Sequence, residues 1–167
     1  MNQDGSQKQG GSIAASSGST LESMVIGAIA NKGLEVIMYR HWEKNKEQYG
    51  NELLLRHVPY TTIYGHNGNT EFLIMSEQRN ISTRIECKWQ QTNGSVDEKF
   101  PYLFANCVEQ LQESHIIILL DGGGAKPGAV EWLNQVCLKY NNDPSANKII
   151  EVMDVMKFTC WVNQTFK

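Results

Sequence analysis

The chain has 167 residues, 41% hydrophobic and 20% charged, with a formal charge of −3 at pH 7. That length allows one domain with a proper core, and no apolar run approaches a membrane span. The acidic balance argues against a strong non-specific nucleic-acid binder, which carries basic excess. The four cysteines, Cys87, Cys107, Cys137 and Cys160, are widely spaced without a C-x-x-C pair. They fit reduced, mostly buried thiols better than a disulfide framework or a zinc site.

In chain order, residues 1–17 are rich in Gln, Gly and Ser, and are expected to form a disordered polar tail before a single domain over 18–167. The tail lacks a basic segment followed by an apolar stretch, so a cytoplasmic protein without a secretory signal is expected. Leu21, Met24, Val25, Ala28 and Ile29 predict an amphipathic helix that begins after Gly18 and stops at Gly33. Leu34–Tyr39 reads as a strand, Arg40–Gly50 as a charged loop or short helix, and Leu53–Tyr64 as partly extended despite Pro59. Strands near 70–76 and 83–89 form a hairpin. Phe100, Leu103, Phe104, Cys107, Val108 and Leu111 repeat at helical spacing, with Pro101 in the first turn. The run Ile116–Leu120 predicts a strand buried on both faces. A helix over 128–140, a strand near 149–155 and a short terminal helix complete a mixed α/β pattern.

The chemistry concentrates in Thr70–Gln91. Glu71 opens an apolar run, and the returning strand carries Glu86-Cys87-Lys88. Period-two alternation puts Glu86, Lys88 and Gln90 on one face, with Ile85 and Cys87 turned to the core. Two acids brought together in a sheet repel each other and resist burial, unless a divalent cation lies between them. With a lysine beside them they suit metal-assisted attack on a phosphodiester. The plainer alternative is that Glu86 and Lys88 simply face solvent and that Glu71 is an ordinary edge residue.

Glu71, Glu86-Cys87-Lys88, Gln90 and the segment Gly94-Ser95-Val96-Asp97-Glu98-Lys99 together resemble the PD-(D/E)XK nuclease superfamily, in particular its phage or mobile-element members. The resemblance spans about 18–162. The family usually has Asp at the first acid, where this chain has Glu71. What the resemblance implies is a restriction-endonuclease-like αβββαβ core, a mixed central sheet flanked by helices. It implies a metal-dependent endodeoxyribonuclease using Mg²⁺, with Mn²⁺ as substitute, and DNA as partner. Glu71 and Glu86 would hold the ion, joined by the backbone carbonyl of Cys87. Lys88 would serve the attacking water, and Gln90 would orient the site. Ser95 and Lys99 would contact a DNA phosphate. A homodimer cutting one strand per protomer is also implied.

Glu22 has two readings. Ser19-Thr20-Leu21-Glu22 is an S-x-x-E capping box, whereas related nucleases bring an acid from this first helix to the metal. A second reading for the whole chain is a non-catalytic nucleic-acid or protein-binding module on the same fold. Gly122–Gly128 lacks the Gly-Lys-Ser/Thr ending of a phosphate loop and reads as a strand-to-helix turn.

Overall fold

The computed structural model describes residues 9–90 and 97–167, with the backbone alone for 9–19. The elements are α1 (Gln9–Ala30), β1 (Glu35–Met38), α2 (Tyr39–Lys44), β2 (Glu52–Thr61), β3 (Asn67–Ser76), β4 (Ile81–Trp89), α3 (Phe100–Glu109), β5 (His115–Asp121), α4 (Pro127–Asn141), β6 (Ile149–Met153) and α5 (Val155–Thr165). The strands form one six-stranded sheet in the order β1-β2-β3-β4-β5-β6. β2, β3 and β4 run as an antiparallel meander, whereas β1 joins β2, and β5 and β6 extend β4, in parallel. The expected αβββαβ core is therefore present as α1, β2, β3, β4, α3 and β5. β1 adds a strand at its edge.

Each connection follows its local chemistry. Four apolar residues of β3 and the five of β5 let these central strands be covered from both sides. Gly33, with φ +85°, ends α1 as a left-handed stop. Pro101 sits in the first turn of α3, where a missing N–H costs nothing. At the other end of α3, the Lys148 ammonium donates to the carbonyls of Cys107, Val108 and Leu111. Those carbonyls have no partner inside the helix, so a buried cation closes it.

One face of the sheet packs Leu54, Phe72, Ile74, Ile85, Ile117 and Leu119 against Leu21, Val25 and Ile29 of α1 and against Phe158 and Val162 of α5. The other packs Ile116, Ile118 and Leu120 against α3 and α4. A smaller cluster of Ile37, Leu53, Leu55, Val58 and Leu73 lies with Tyr39 and Trp42 near α2.

The expected tail boundary shifts. α1 begins at Gln9, so residues 9–17 are helix rather than disordered extension, and the preceding eight lie outside the described residues. A helix nucleated by a packed apolar stripe elongates at small cost per residue, and no proline interrupts 9–20. Ser19 therefore lies inside the helix rather than at the N-terminus, where a capping box stands.

Candidate active site

The strands around Glu71 are interrupted on both sides. On the β2 side, the pairs Arg56↔Phe72 and Val58↔Thr70 bracket His57 and Glu71, which are not themselves paired. His57 has φ +53°, a left-handed backbone uncommon for a non-glycine residue. Leu55 and Val58 share a core cluster although three positions separate them, so the alternation of β2 slips by one residue at this kink. On the β4 side, pairing with β3 stops at Phe72↔Ile85, and one further step of that register sets Glu71 opposite Glu86. Kinks of this kind re-aim a side chain. Here the strands part at the two acids.

Glu71 Oε2 accepts the Cys87 backbone N–H at 2.8 Å, so a side chain takes a ladder donor just past the last β3–β4 pair. Glu86 Oε1 accepts from the Lys88 ammonium, and both side chains lie on the α3 side of β4. Ile85 and Cys87 turn to the α1 side, as expected. The Glu86 face is not open to solvent, however. Glu86 is 6% exposed, because the α3 layer covers it. The solvent-facing alternative for Glu86 therefore does not hold.

Electrostatics follow from this burial. Desolvation pushes the Glu86 carboxyl up to about 7, with the neighbouring Glu71 adding to the rise and Lys88 pulling it back. Burial works against the Lys88 ammonium, but Glu86 and Glu71 outweigh it and hold its pKa above the usual value. Burial also raises the Cys87 thiol, and the carboxylates of Glu71, Glu86 and Glu22 raise it further. Glu86 Oε2 is buried without a hydrogen-bond partner. A carboxylate oxygen held that way is expensive unless a cation meets it.

Among the described residues, no three His, Cys, Asp or Glu side chains stand together as a ready-made metal cage. The donor set still fits a hard divalent ion. Mg²⁺ is commonly held by one or two carboxylates, with water and substrate phosphate completing its shell. Glu71, the vacant oxygen of Glu86 and adjacent backbone are residues that would hold it.

Other expected site residues fall elsewhere. Glu22 Oε2 lies 3.8 Å from Arg56 Nη2, with both side chains partly exposed, so the structure gives this acid a cationic partner in place of a cap. Gln90 is buried and tied to the glycine turn after β5. Its Nε2 donates to Gly124 O at 3.2 Å, and its carbonyl accepts from Gly124 N at 2.7 Å. Gly122, with φ +104°, leaves room for that carbonyl, which a β-carbon there would meet at 2.4 Å. The turn is thus a strand-to-helix connection fitted to Gln90. Lys99 is exposed in a 3-10 turn over Asp97–Lys99, and Ser95 lies outside the described residues.

Two arginines are taken up in ion pairs. Arg84 is buried, 2.6 Å from Glu113, and Arg79 pairs with Glu52 at 3.2 Å.

Sequence reasoning missed Tyr60. Burial, then Glu86 and Tyr102, push its phenol up to about 12, so it stands within electrostatic reach of Glu86. Its signal was Gly68, the cross-strand partner, where a β-carbon would come within 2.9 Å of the Tyr60 ring. A glycine inside a strand marks such an approach.

The description of the PD-(D/E)XK nuclease superfamily domain matches residues 13–166. No curated protein and no solved structure matches the chain. No helix among the described residues is long and apolar enough to cross a membrane. Nucleases of this superfamily generally use divalent metal ions and act on nucleic acid. The match begins inside α1 and runs to the end of α5, taking in the whole sheet and the parted strands at Glu71 and Glu86, and by it the chain belongs to the PD-(D/E)XK nuclease superfamily.

Proposed function

We propose that the protein is a Mg²⁺-dependent endodeoxyribonuclease whose reacting groups are Glu71, Glu86 and Lys88. The observation that carries this reading is the buried, unpartnered Oε2 of Glu86 beside a second carboxylate and a lysine. Lys88 meets one oxygen of that carboxylate and leaves the other buried without a partner, which is costly unless a ligand meets it. A bound divalent ion would supply Lewis-acid polarisation of the scissile phosphate. Glu71 and Glu86 would hold the ion, and the Cys87 N–H, by donating to Glu71 Oε2, fixes that carboxylate. Lys88 places a permanent cation where negative charge grows on the phosphate during in-line attack by water. Gln90 anchors the end of β4, so that Glu86 and Lys88 keep their spacing. Lys99 and Ser95 are proposed as phosphate contacts, and two protomers as the unit that cuts both strands.

The test is cleavage of plasmid, single-stranded and branched DNA with Mg²⁺, Mn²⁺ and Ca²⁺. Mg²⁺ and Mn²⁺ support cleavage, whereas Ca²⁺ binds without turnover, because its looser shell positions water poorly. Lys88→Ala keeps the metal-induced rise in melting temperature yet loses roughly 10²–10³-fold in rate. If the wild type shows neither metal-induced stabilisation nor cleavage of any DNA form, the reading fails. The non-catalytic binding module, which Glu71 and the net charge of −3 support, then takes its place.

A further inference from the structure

Aromatic side chains stand on β2, on the turn after it and on α3. Tyr60 stands within electrostatic reach of Glu86, Lys88 and Tyr102. Tyr102, on α3, stacks on Tyr64 with ring centroids 5.0 Å apart and planes 24° from parallel. Beyond Tyr64, His66 meets its edge at 6.4 Å. Tyr64 is 69% exposed, so although Tyr102 covers one face of its ring, most of the side chain is open to solvent.

An exposed tyrosine on a loop is ordinary by itself. This one is held in place. The turn between β2 and β3 is closed by Thr62 N–H to His66 O and by Gly65 N–H to Thr62 O, both at 2.8 Å. The Thr62 hydroxyl also accepts from His66 N–H at 3.2 Å. The turn is pinned to α3 by Asn106, which is 1% exposed: its Oδ1 accepts Ile63 N–H at 3.0 Å while its Nδ2 donates to Tyr102 O at 2.7 Å. One buried amide thus fixes both partners of the stacked pair. An aromatic surface ordered in advance loses little freedom when a flat ligand lands on it.

We propose that Tyr64, backed by Tyr102, is a stacking platform for an unpaired base, so that the enzyme acts on DNA carrying unpaired nucleotides near the cleavage point. The proposal rests on the nuclease reading above and adds the substrate's form. A base inside a duplex has both faces covered by its neighbours, whereas a single strand offers a free face that any aromatic ring can take. From Glu71, β3 runs four residues back to Asn67 at the foot of the turn, about 13 Å at strand rise. That spans roughly four nucleotides at duplex spacing. A strand whose phosphate lies at the acids therefore reaches the platform within a few nucleotides. The ion pairing of Arg79 and Arg84 fits as well, since stacking adds affinity beyond what phosphate contacts supply.

The test uses the full chain, wild type, Tyr64→Phe and Tyr64→Ala, with a single-stranded oligodeoxynucleotide carrying 2-aminopurine and a blunt duplex of the same sequence, both in Ca²⁺. Wild type and Tyr64→Phe bind the single strand and quench its fluorescence. Tyr64→Ala binds it roughly ten-fold more weakly with the quenching gone, loses far less on the duplex, and melts at an unchanged temperature. Equal affinity and quenching in Tyr64→Ala overturn the platform, and so does an equal loss on both DNA forms. Failure of the nuclease reading looks different. Wild type would quench the single strand, but cleave neither form when Ca²⁺ is replaced by Mg²⁺.

Discussion

On the side of the sheet that α1 and α5 cover, Phe72, Ile74, Ile85, Ile117 and Leu119 meet Leu21, Val25, Ile29 and Phe158. Among its polar groups, Thr83, His115 and Glu151 form a hydrogen-bonded chain across β4, β5 and β6. On the side that α3 and α4 cover, burial takes in Arg84 with Glu113, Glu86 with the partly exposed Lys88, and Asn106 and Lys148. Both layers exclude water, so the cost of holding charge falls almost entirely on one of them. A fold tolerates such cost where the groups are satisfied by each other, as Lys148 is by the end of α3, or where a ligand completes them. Glu86 is met by Lys88 at one oxygen only, and its other oxygen is where the proposed ion would complete it.

The largest effects should come from the apolar side. Phe72→Ala removes a fully buried ring and is expected to cost about 3–5 kcal/mol, measured by denaturant unfolding. Glu86→Gln should behave in the opposite way on the polar side. It removes a buried charge without changing volume, so the metal-free protein gains stability at pH 8 while the Mg²⁺-induced rise in melting temperature disappears. A Glu86→Gln variant that unfolds more easily at that pH would mean the carboxylate holds the fold together, and the contrast between the two faces would collapse.

The same carboxyl makes the contrast depend on pH. Its folded value of about 7 lies above the usual 4.5, so the folded chain holds this proton more tightly than the unfolded one. Its contribution to stability is full below about pH 4.5 and is lost as pH rises through about 7. Metal must displace that proton. The stabilisation given by Mg²⁺ should therefore be small at pH 5.5 and grow through pH 8, whereas a Glu86→Gln protein should show no such growth. A melting shift with Mg²⁺ that is equal at both pH values would contradict this coupling.

How much of this was legible depended on whether the information is local. The apolar run of β5, the β3–β4 hairpin, Pro101 at the start of α3 and the stop at Gly33 follow from periodicity and backbone preference, and each stands where the sequence puts it. The acids and the lysine were legible as a face of β4, because alternation needs no tertiary knowledge. The cover over that face was not, since α3 follows β4 in the chain with no pattern stating which side of the sheet it returns to. The kink at His57 was hidden for a related reason. Nothing in Leu53–Tyr60 marks a left-handed residue, and the slip shows only in which cluster Val58 joins. The start of α1 was misread because Gly10, Gly11 and Gly18 each disfavour helix by about 1 kcal/mol relative to alanine.

A smaller effect is expected where the polar face is already satisfied. Lys148→Met keeps the apolar stem and removes the three donors to the end of α3. Loss of about 1–3 kcal/mol is expected, because buried carbonyls are left without partners. Hydrogen exchange should quicken at the last turn of α3 before the rest of the chain. Uniform loss of protection would show that Lys148 supports the whole layer rather than one helix end.

The smallest expected effect on stability is at Glu22, which decides how far the polar site extends across the sheet. Its carboxylate is 3.8 Å from Arg56, and both side chains are about a third exposed or less. A pair at that distance and exposure contributes under about 1 kcal/mol, so Glu22→Gln should leave the melting temperature nearly unchanged. Arg56→Gln is the informative companion. If Arg56 is the natural partner of Glu22, each substitution should have a similar small effect, and Mg²⁺ affinity should not move with either. If Glu22 instead turns to a bound ion, Arg56 competes with that ion for the carboxylate. Arg56→Gln should then tighten Mg²⁺ binding while Glu22→Gln weakens it. Opposite signs in the two titrations would extend the metal site through β4 to α1; matching, flat titrations would confine it to Glu71 and Glu86.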